Sequence, residues 1–198
     1  VTMTRAIASG RRIESIFSIK PSMADDPDAV DKGTDTDDAI VFSDVSLTYM
    51  EGGEPSLRDI SFTIRKGEKI GIIGGTGSGK TSLISLIPRF YDVTSGSVSV
   101  FGVDARKWKR SALRSMVAYV PQKTRLFSGT IRSNLQWGRR GADEGALHKA
   151  LEESDALSFV MDKDGQLDSR VSAGGKNLSG GQRQRLAIAR ALVKDAPI

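Results

Sequence analysis

Four glycines fall within six residues, Gly74 to Gly79, between an isoleucine-rich run and a run with helical spacing. No regular element tolerates that density of glycine, so the chain must turn there. Upstream, Lys69 to Ile73 is a short apolar stretch that reads as a buried strand. Downstream, Lys80 to Phe90 places Leu83, Ile84, Ile87 and Phe90 at the spacing of one helix face. A strand, a glycine loop and a helix in direct succession restrict the chain to the α/β class.

The same stretch carries chemistry. Gly74 to Thr81 fits the phosphate-binding pattern G-x-x-x-x-G-K-[ST], in the strand-to-helix context that the pattern requires. Glycines let the backbone curl so that several N–H groups converge on one anion. The first turn of the helix adds free N–H groups and the positive end of its dipole. Lys80 supplies a point charge for the β- and γ-phosphates, and the Thr81 hydroxyl can ligate Mg²⁺.

Composition removes other classes. The 198 residues are 38% hydrophobic and 27% charged, which is ordinary for a globular domain with one core. No apolar run reaches the length of a membrane span, and the N-terminus lacks the apolar region of a signal peptide. The chain has no cysteine and one histidine, His148, which argues against disulfides, cysteine-bound zinc and a histidine-based metal site or triad. The net charge of +5 is unevenly spread: basic residues cluster from Arg106 to Arg125 and at Arg183, Arg185 and Arg190, while aspartates cluster from Asp25 to Asp38. Basic runs without interleaved aromatics are solvated faces, so no nucleic-acid partner is expected.

In chain order, Thr4 to Lys20 is weakly amphipathic, with Ile13, Ile16 and Phe17 on one face: a frayed terminal helix or a connector from a preceding domain. Pro21 to Asp38 is acidic and poor in large apolar residues, so a flexible, poorly ordered linker is expected. Strands are predicted at Ile40 to Phe42, Val45 to Tyr49, Ile60 to Ile64, Ser97 to Phe101 and Met116 to Val120, with a loop at Glu51 to Pro55. Helices are predicted at Thr130 to Gln136, at Asp143 to Ser154 with Asp143 as the N-cap, at Asp155 to Met161 and at Ser179 to Lys194. The order gives an α/β fold: a P-loop NTPase core with an antiparallel β subdomain and a helical subdomain over residues 126–178.

Leu178-Ser179-Gly180-Gly181-Gln182 is a second constellation. Ser179 with Gln182 three residues on is a capping box, and Gly180 and Gly181 leave the helix start bare of side chains. That is either a well-capped helix with glycines for close packing or a second phosphate-binding surface.

These residues together resemble the nucleotide-binding domain of an ABC transporter. Gly74 to Thr81 is similar to its Walker A loop and Leu178 to Gln182 to its signature, followed by the similar Arg183-Gln184-Arg185 and Ile188 to Leu192. Tyr119-Val120-Pro121-Gln122 resembles its Q-loop, and Tyr49 stands where the family has an adenine-stacking aromatic. The resemblance covers Ile40 to Ile198. Leu126 to Ile131, Arg89 to Asp92, and Arg11-Arg12-Ile13 with Phe17 resemble the exporter branch, which serves multidrug and lipid export. It implies ATP and Mg²⁺ as ligands. Tyr49 stacks on adenine, Gly75, Thr76, Gly77, Ser78, Gly79, Lys80, Thr81 and Ser82 hold the phosphates, Lys80 and Gln122 serve catalysis, and Thr81 and Gln122 meet the metal. Ser179, Gly180, Gly181 and Gln182 form the signature surface, of which Ser179, Gly181 and Gln182 touch the γ-phosphate held by the opposite subunit. It further implies a transmembrane domain of the same transporter and a second nucleotide-binding domain, identical or different, as partners. The site is then the cytoplasmic face of the cell membrane, with residues 1–38 as the connector and linker from the membrane domain and 39–198 as the nucleotide-binding domain.

Two departures qualify the match. Ala173 stands where exporters carry a glutamate ahead of the paired glycines. The family's Walker B aspartate, catalytic glutamate and switch histidine are expected beyond Ile198, and His148 lies in the wrong place to replace the last. Residues 1–198 alone are therefore expected to bind nucleotide without turning it over. The competing readings are a soluble ABC-type ATPase of DNA repair or translation, against which the connector argues, and a nucleotide-binding module without turnover.

Overall fold

The structure is a computed structural model that describes residues 2–19, 23–50 and 52–198. Lys20, Pro21 and Glu51, assigned above to connector, linker and loop, lie outside the described residues. The chain forms two compact units, residues 1–110 and 111–198.

The first unit is built on one antiparallel sheet of order β2-β1-β3-β4: β1 is Asp38–Leu47, β2 Leu57–Arg65, β3 Ser95–Val100 and β4 Val103–Asp104. The two strands expected at 40–42 and 45–49 are one strand, β1, interrupted by a bulge. Its pairing with β2 shifts between Phe42 and Val45, and Asp44 sits at φ 48. The inserted residue flips the side-chain phase, so Ile40 and Phe42 before it and Val45 and Leu47 after it all face the core. Across the bulge lies Gly96, where a Cβ would stand 2.3 Å from the Ser43 and Asp44 carbonyl oxygens; no other residue fits. Trp108 is fully buried below this sheet and its Nε1 donates to the carbonyls of Val100 and Val103.

Two expectations fail in this unit. Lys69 to Ile73 is not a strand: no backbone hydrogen bond reaches it among the described residues, and Ile73 is 99% exposed. An apolar run becomes a strand only where a neighbour supplies N–H and C=O groups, and the sheet does not extend to it. The acidic segment is not loose. The Val30 N–H donates to the Lys107 carbonyl and the Lys109 N–H to the Val30 carbonyl, forming a parallel bridge to Trp108; the Thr34 N–H donates to the Phe101 carbonyl. Arg110 Nε reaches Asp25 Oδ1 at 2.7 Å. Aspartates that read as linker composition serve here as ion-pair partners, and Asp25 titrates below the usual carboxylate range because Arg110 donates to it.

Helix α1 is Thr2–Phe17, with Ile13, Ile16 and Phe17 exposed. Helix α2, Lys80–Leu86, stops four residues short of the predicted end. Arg89 adopts φ 50, and the N–H groups of Arg89 and Phe90 donate to the carbonyls of Leu86 and Ser85. That is a Schellman turn with arginine in the left-handed position that favours glycine. Arg89 is 6% exposed; it pairs with both carboxylate oxygens of Asp92 and donates to the Arg106 and Ala24 carbonyls. The Asp92 hydrogen bonds raise its pKa.

Helix α3, Arg110–Ser115, leads into the second unit, which is helical: α4 Ile131–Gln136, α5 Glu144–Glu153, α6 Leu157–Met161 and α7 Gly180–Val193, with a short pair of β5, Gly129–Thr130, and β6, Arg170–Val171. Each of α4, α5 and α7 is capped by its predicted N-terminal residue, Thr130, Asp143 or Ser179. Leu135, Leu147, Leu151, Val160 and Leu186 form one core, so the packing unit runs on past residue 178 into α7. The strand expected at Met116 to Val120 is reduced to a single pairing: the Ala118 N–H donates to the Ile198 carbonyl and the Ile198 N–H to the Met116 carbonyl. Those two bonds bracket Val117 as a parallel ladder does, but no ladder continues them. No helix among the described residues is long and apolar enough to cross a membrane.

Candidate functional site

The glycine loop runs irregularly from Gly74 to Gly79, and α2 begins at Lys80. Gly79 precedes the helix at φ 85 and ψ 2 and brings no side-chain cap. A Cβ there would lie 2.6 Å from the Ser56 carbonyl oxygen and 2.8 Å from Leu57 Cδ2, so the loop closes on the start of β2 only as glycine. The N–H groups of Gly79, Lys80, Thr81 and Ser82 meet no protein acceptor among the described residues. A capped helix would satisfy at least one of them.

Lys80 folds back over this loop. Its Nζ donates to the carbonyls of Gly74 at 2.7 Å and Gly75 at 2.6 Å, and to Ser78 Oγ at 3.3 Å. Unclaimed N–H groups, a helix start and an ammonium therefore lie together on one exposed loop, which suits a polyanion. The Thr81 hydroxyl is exposed and without a hydrogen bond among the described residues, open to a hard cation. Among the described residues no group of three His, Cys, Asp or Glu could hold a metal. A Mg²⁺ ion here would take most of its ligands from phosphate and water, the usual mode for this ion.

Tyr49, two residues beyond β1, is half exposed, and its hydroxyl donates to Ser82 Oγ at 2.8 Å. The Tyr91 ring stands edge-on to it, with 4.8 Å between centroids and an interplanar angle of 82°. The first unit thus brings Tyr49 together with the Gly75 to Ser82 cradle. Tyr91 escaped the sequence reading, which treated it only as part of the Arg89 to Asp92 run; the turn at Arg89 that delivers it has no spacing signature.

The second unit carries the other expected residues. Gln122 lies in an exposed bend after Pro121. Ser179 Oγ accepts from the Gln182 N–H at 3.2 Å, and the Ser179 N–H donates to Gln182 Oε1 at 3.0 Å, completing the capping box. The side-chain oxygen of Gln182 is thereby used inside the protein. Gly180 and Gly181 are exposed, and a Cβ on either meets nothing nearer than 3.9 Å. The glycines are therefore not there for close packing. The loop before them is stapled from both sides: Asn177 accepts from the Ser172 N–H and donates to the Arg170 carbonyl, and Arg183 donates to the Leu178 carbonyl at 2.6 Å. Farther along α7, burial lowers the pKa values of Arg190 and Lys194; Arg190 donates to the Arg125 carbonyl and lies over the Phe127 ring.

Comparison with known proteins agrees with this geometry. The ABC transporter family model matches residues 57–198. The ATP-dependent lipid A-core flippase of Desulfotalea psychrophila is 40% identical over 197 residues, covering 100% of this chain and 34% of the relative. The flippase of the same name from Xanthomonas campestris is 41% identical over 199 residues, covering 98% of this chain and 33% of the relative. A solved structure of a bacterial Atm1-family ABC exporter with ATP bound superposes with a TM-score of 0.89 at 29% identity, covering 98% of this chain and 34% of that one. The chain therefore spans about a third of the length of these relatives. The glycine cradle with its folded-back lysine, the bare capped helix and the matched family model together place the chain in the ABC transporter family, as its ATP-binding domain.

Proposed function

We propose that this chain is the ATPase domain of an exporter, which binds Mg-ATP at Gly74 to Thr81 and drives transport through an attached membrane domain. The observation that carries the reading is the pairing of two unlike anion surfaces in one chain. The first unit offers an uncapped helix start with an ammonium; the second offers a capped helix start whose glycines are open to solvent. One nucleotide needs one such cradle, so the second surface serves a nucleotide held by another nucleotide-binding domain, of the same or a different chain.

The roles are those that the resemblance to the family implies. Gly75, Thr76, Gly77, Ser78, Gly79, Lys80, Thr81 and Ser82 hold the phosphates, Tyr49 stacks on adenine, and Thr81 is the first unit's ligand for Mg²⁺; Gln122 keeps the metal and catalytic role that the resemblance implies. Ser179, Gly181 and Gln182 close on the partner's γ-phosphate. Bound Mg-ATP supplies the phosphoryl group; this chain's residues orient it and stabilise its charge. Residues 1–38 connect to a membrane-spanning domain on the cytoplasmic face, and the helical subdomain that starts at residue 126 packs on into α7.

Lys80→Ala in the full-length protein tests the reading. Lys80 brings the fixed positive charge to the loop, so turnover falls by about a hundredfold or more, with weaker Mg-ATP binding. Hydrolysis at the wild-type rate in that variant overturns the assignment.

A further inference from the structure

The ring expected to carry the base and the helix expected to carry the phosphates are joined by one hydrogen bond. Tyr49 is 47% exposed, so packing alone does not fix its ring. Two contacts do: the 2.8 Å bond from its hydroxyl to Ser82 Oγ, and the edge of Tyr91. A serine hydroxyl can accept two hydrogen bonds and donate one. With one lone pair taken by Tyr49, the Ser82 proton remains, on the first turn of α2 beside the unclaimed N–H groups. A hydroxyl that donates to an anion becomes a stronger acceptor, so the two contacts reinforce each other.

We propose that Ser82 is a positioning residue that couples the base platform to the phosphate cradle: an anion on the first turn of α2 tightens the Tyr49 hydrogen bond and fixes the ring where a base stacks. This rests on the nucleotide-binding reading above. Recognition of the base and of the phosphates is then one event. Inorganic tripolyphosphate, which has no base, gains nothing from a well-placed ring.

The test is a double-mutant cycle in the full-length protein, with Mg-ATP and Mg-tripolyphosphate as probes. Tyr49→Phe keeps the stacking face and loses the hydroxyl; Mg-ATP affinity falls about three- to tenfold, while tripolyphosphate, which loses only the reinforcement at Ser82 and has no base to place, falls less. Ser82→Ala weakens both probes, and adding Tyr49→Phe to it weakens Mg-ATP no further. Ser82→Thr restores the hydroxyl and the affinity. In turnover, Tyr49→Phe raises KM and leaves kcat alone, which a general loss of structure would not do. Wild-type Mg-ATP affinity in Tyr49→Phe, or additive losses in the double variant, overturns the coupling. If Lys80→Ala still weakens Mg-ATP binding in that case, the nucleotide reading stands without it; a wild-type protein that binds neither probe sinks both.

Discussion

The glycine loop before α2 and the glycine pair at the start of α7 look alike in sequence and are opposites in structure. Before α2 the glycine is obligatory for the fold: Gly79 is left-handed and pressed against the Ser56 carbonyl. Its helix has no cap, and a lysine spends its protons on the loop's own carbonyls. At α7 the glycines touch nothing, and the helix is satisfied by a reciprocal box between Ser179 and Gln182. The first cradle turns on a left-handed glycine and is left with unsatisfied donors; the second is complete without a ligand and offers a bare face. One glycine is there because the chain could not close without it; at the other pair a side chain would meet nothing in the chain nearer than 3.9 Å.

That contrast breaks first at Gly79. Gly79→Ala forces a side chain into a left-handed position and into a carbonyl oxygen 2.6 Å away. The strain and the clash together cost about 2–4 kcal/mol. Chemical denaturation of the variant should show this loss together with weakened Mg-ATP binding. A variant as stable as the wild type contradicts the close approach of the loop to β2.

What was legible in the sequence follows the same division between local and distant causes. Caps at Asp143 and Ser179 are written within four residues, and both form; Thr130, expected as the first residue of its helix, is its cap. Helix α4, α5 and α7 positions follow, because each buries a face that its own spacing declares. Lys69 to Ile73 misled, since its isoleucines announce burial but cannot name the strand that would pair with them. The acidic segment misled in the other direction: Asp25 and Val30 are held by Arg110 and by the Lys107 to Lys109 backbone, far along the chain. In the site, the Gly74 to Thr81 pattern was plain because backbone geometry alone selects its residues. The Tyr49, Ser82 and Tyr91 cluster was not, because it depends on where a bulged strand ends and how Arg89 turns the chain.

The next test is at the bare helix start. Gly181→Ala places a methyl group in open space, with its nearest neighbour Arg185 Nη1 at 4.0 Å. Alanine also favours the helix by up to about 1 kcal/mol over glycine. The melting temperature should therefore hold or rise, while ATP turnover in the full-length protein falls about tenfold, equivalent to about 1.4 kcal/mol of lost transition-state stabilisation. Unimpaired turnover would return these glycines to the role of a well-capped helix start and nothing more.

Ser179 carries the smallest effect and separates two jobs in one residue. Its Oγ accepts from the Gln182 N–H, and the box returns a bond from its own N–H to the side-chain Oε1 of Gln182. Ser179→Ala removes the side-chain acceptor and costs about 1 kcal/mol of stability, the usual value of an N-cap. Because α7 packs against both α4 and α5, urea denaturation of the second unit reads that loss. Ser179→Asp keeps an N-cap of equal quality, and its charge suits the positive end of the helix, so stability should return to the wild-type level. The same carboxylate faces any anion approaching Gly180 and Gly181 and repels it. If α7 only needs a cap, Ser179→Asp restores turnover along with stability. If α7 closes on a phosphate, stability recovers and turnover does not. The α2 cradle admits no such experiment, since it has no side-chain cap to exchange.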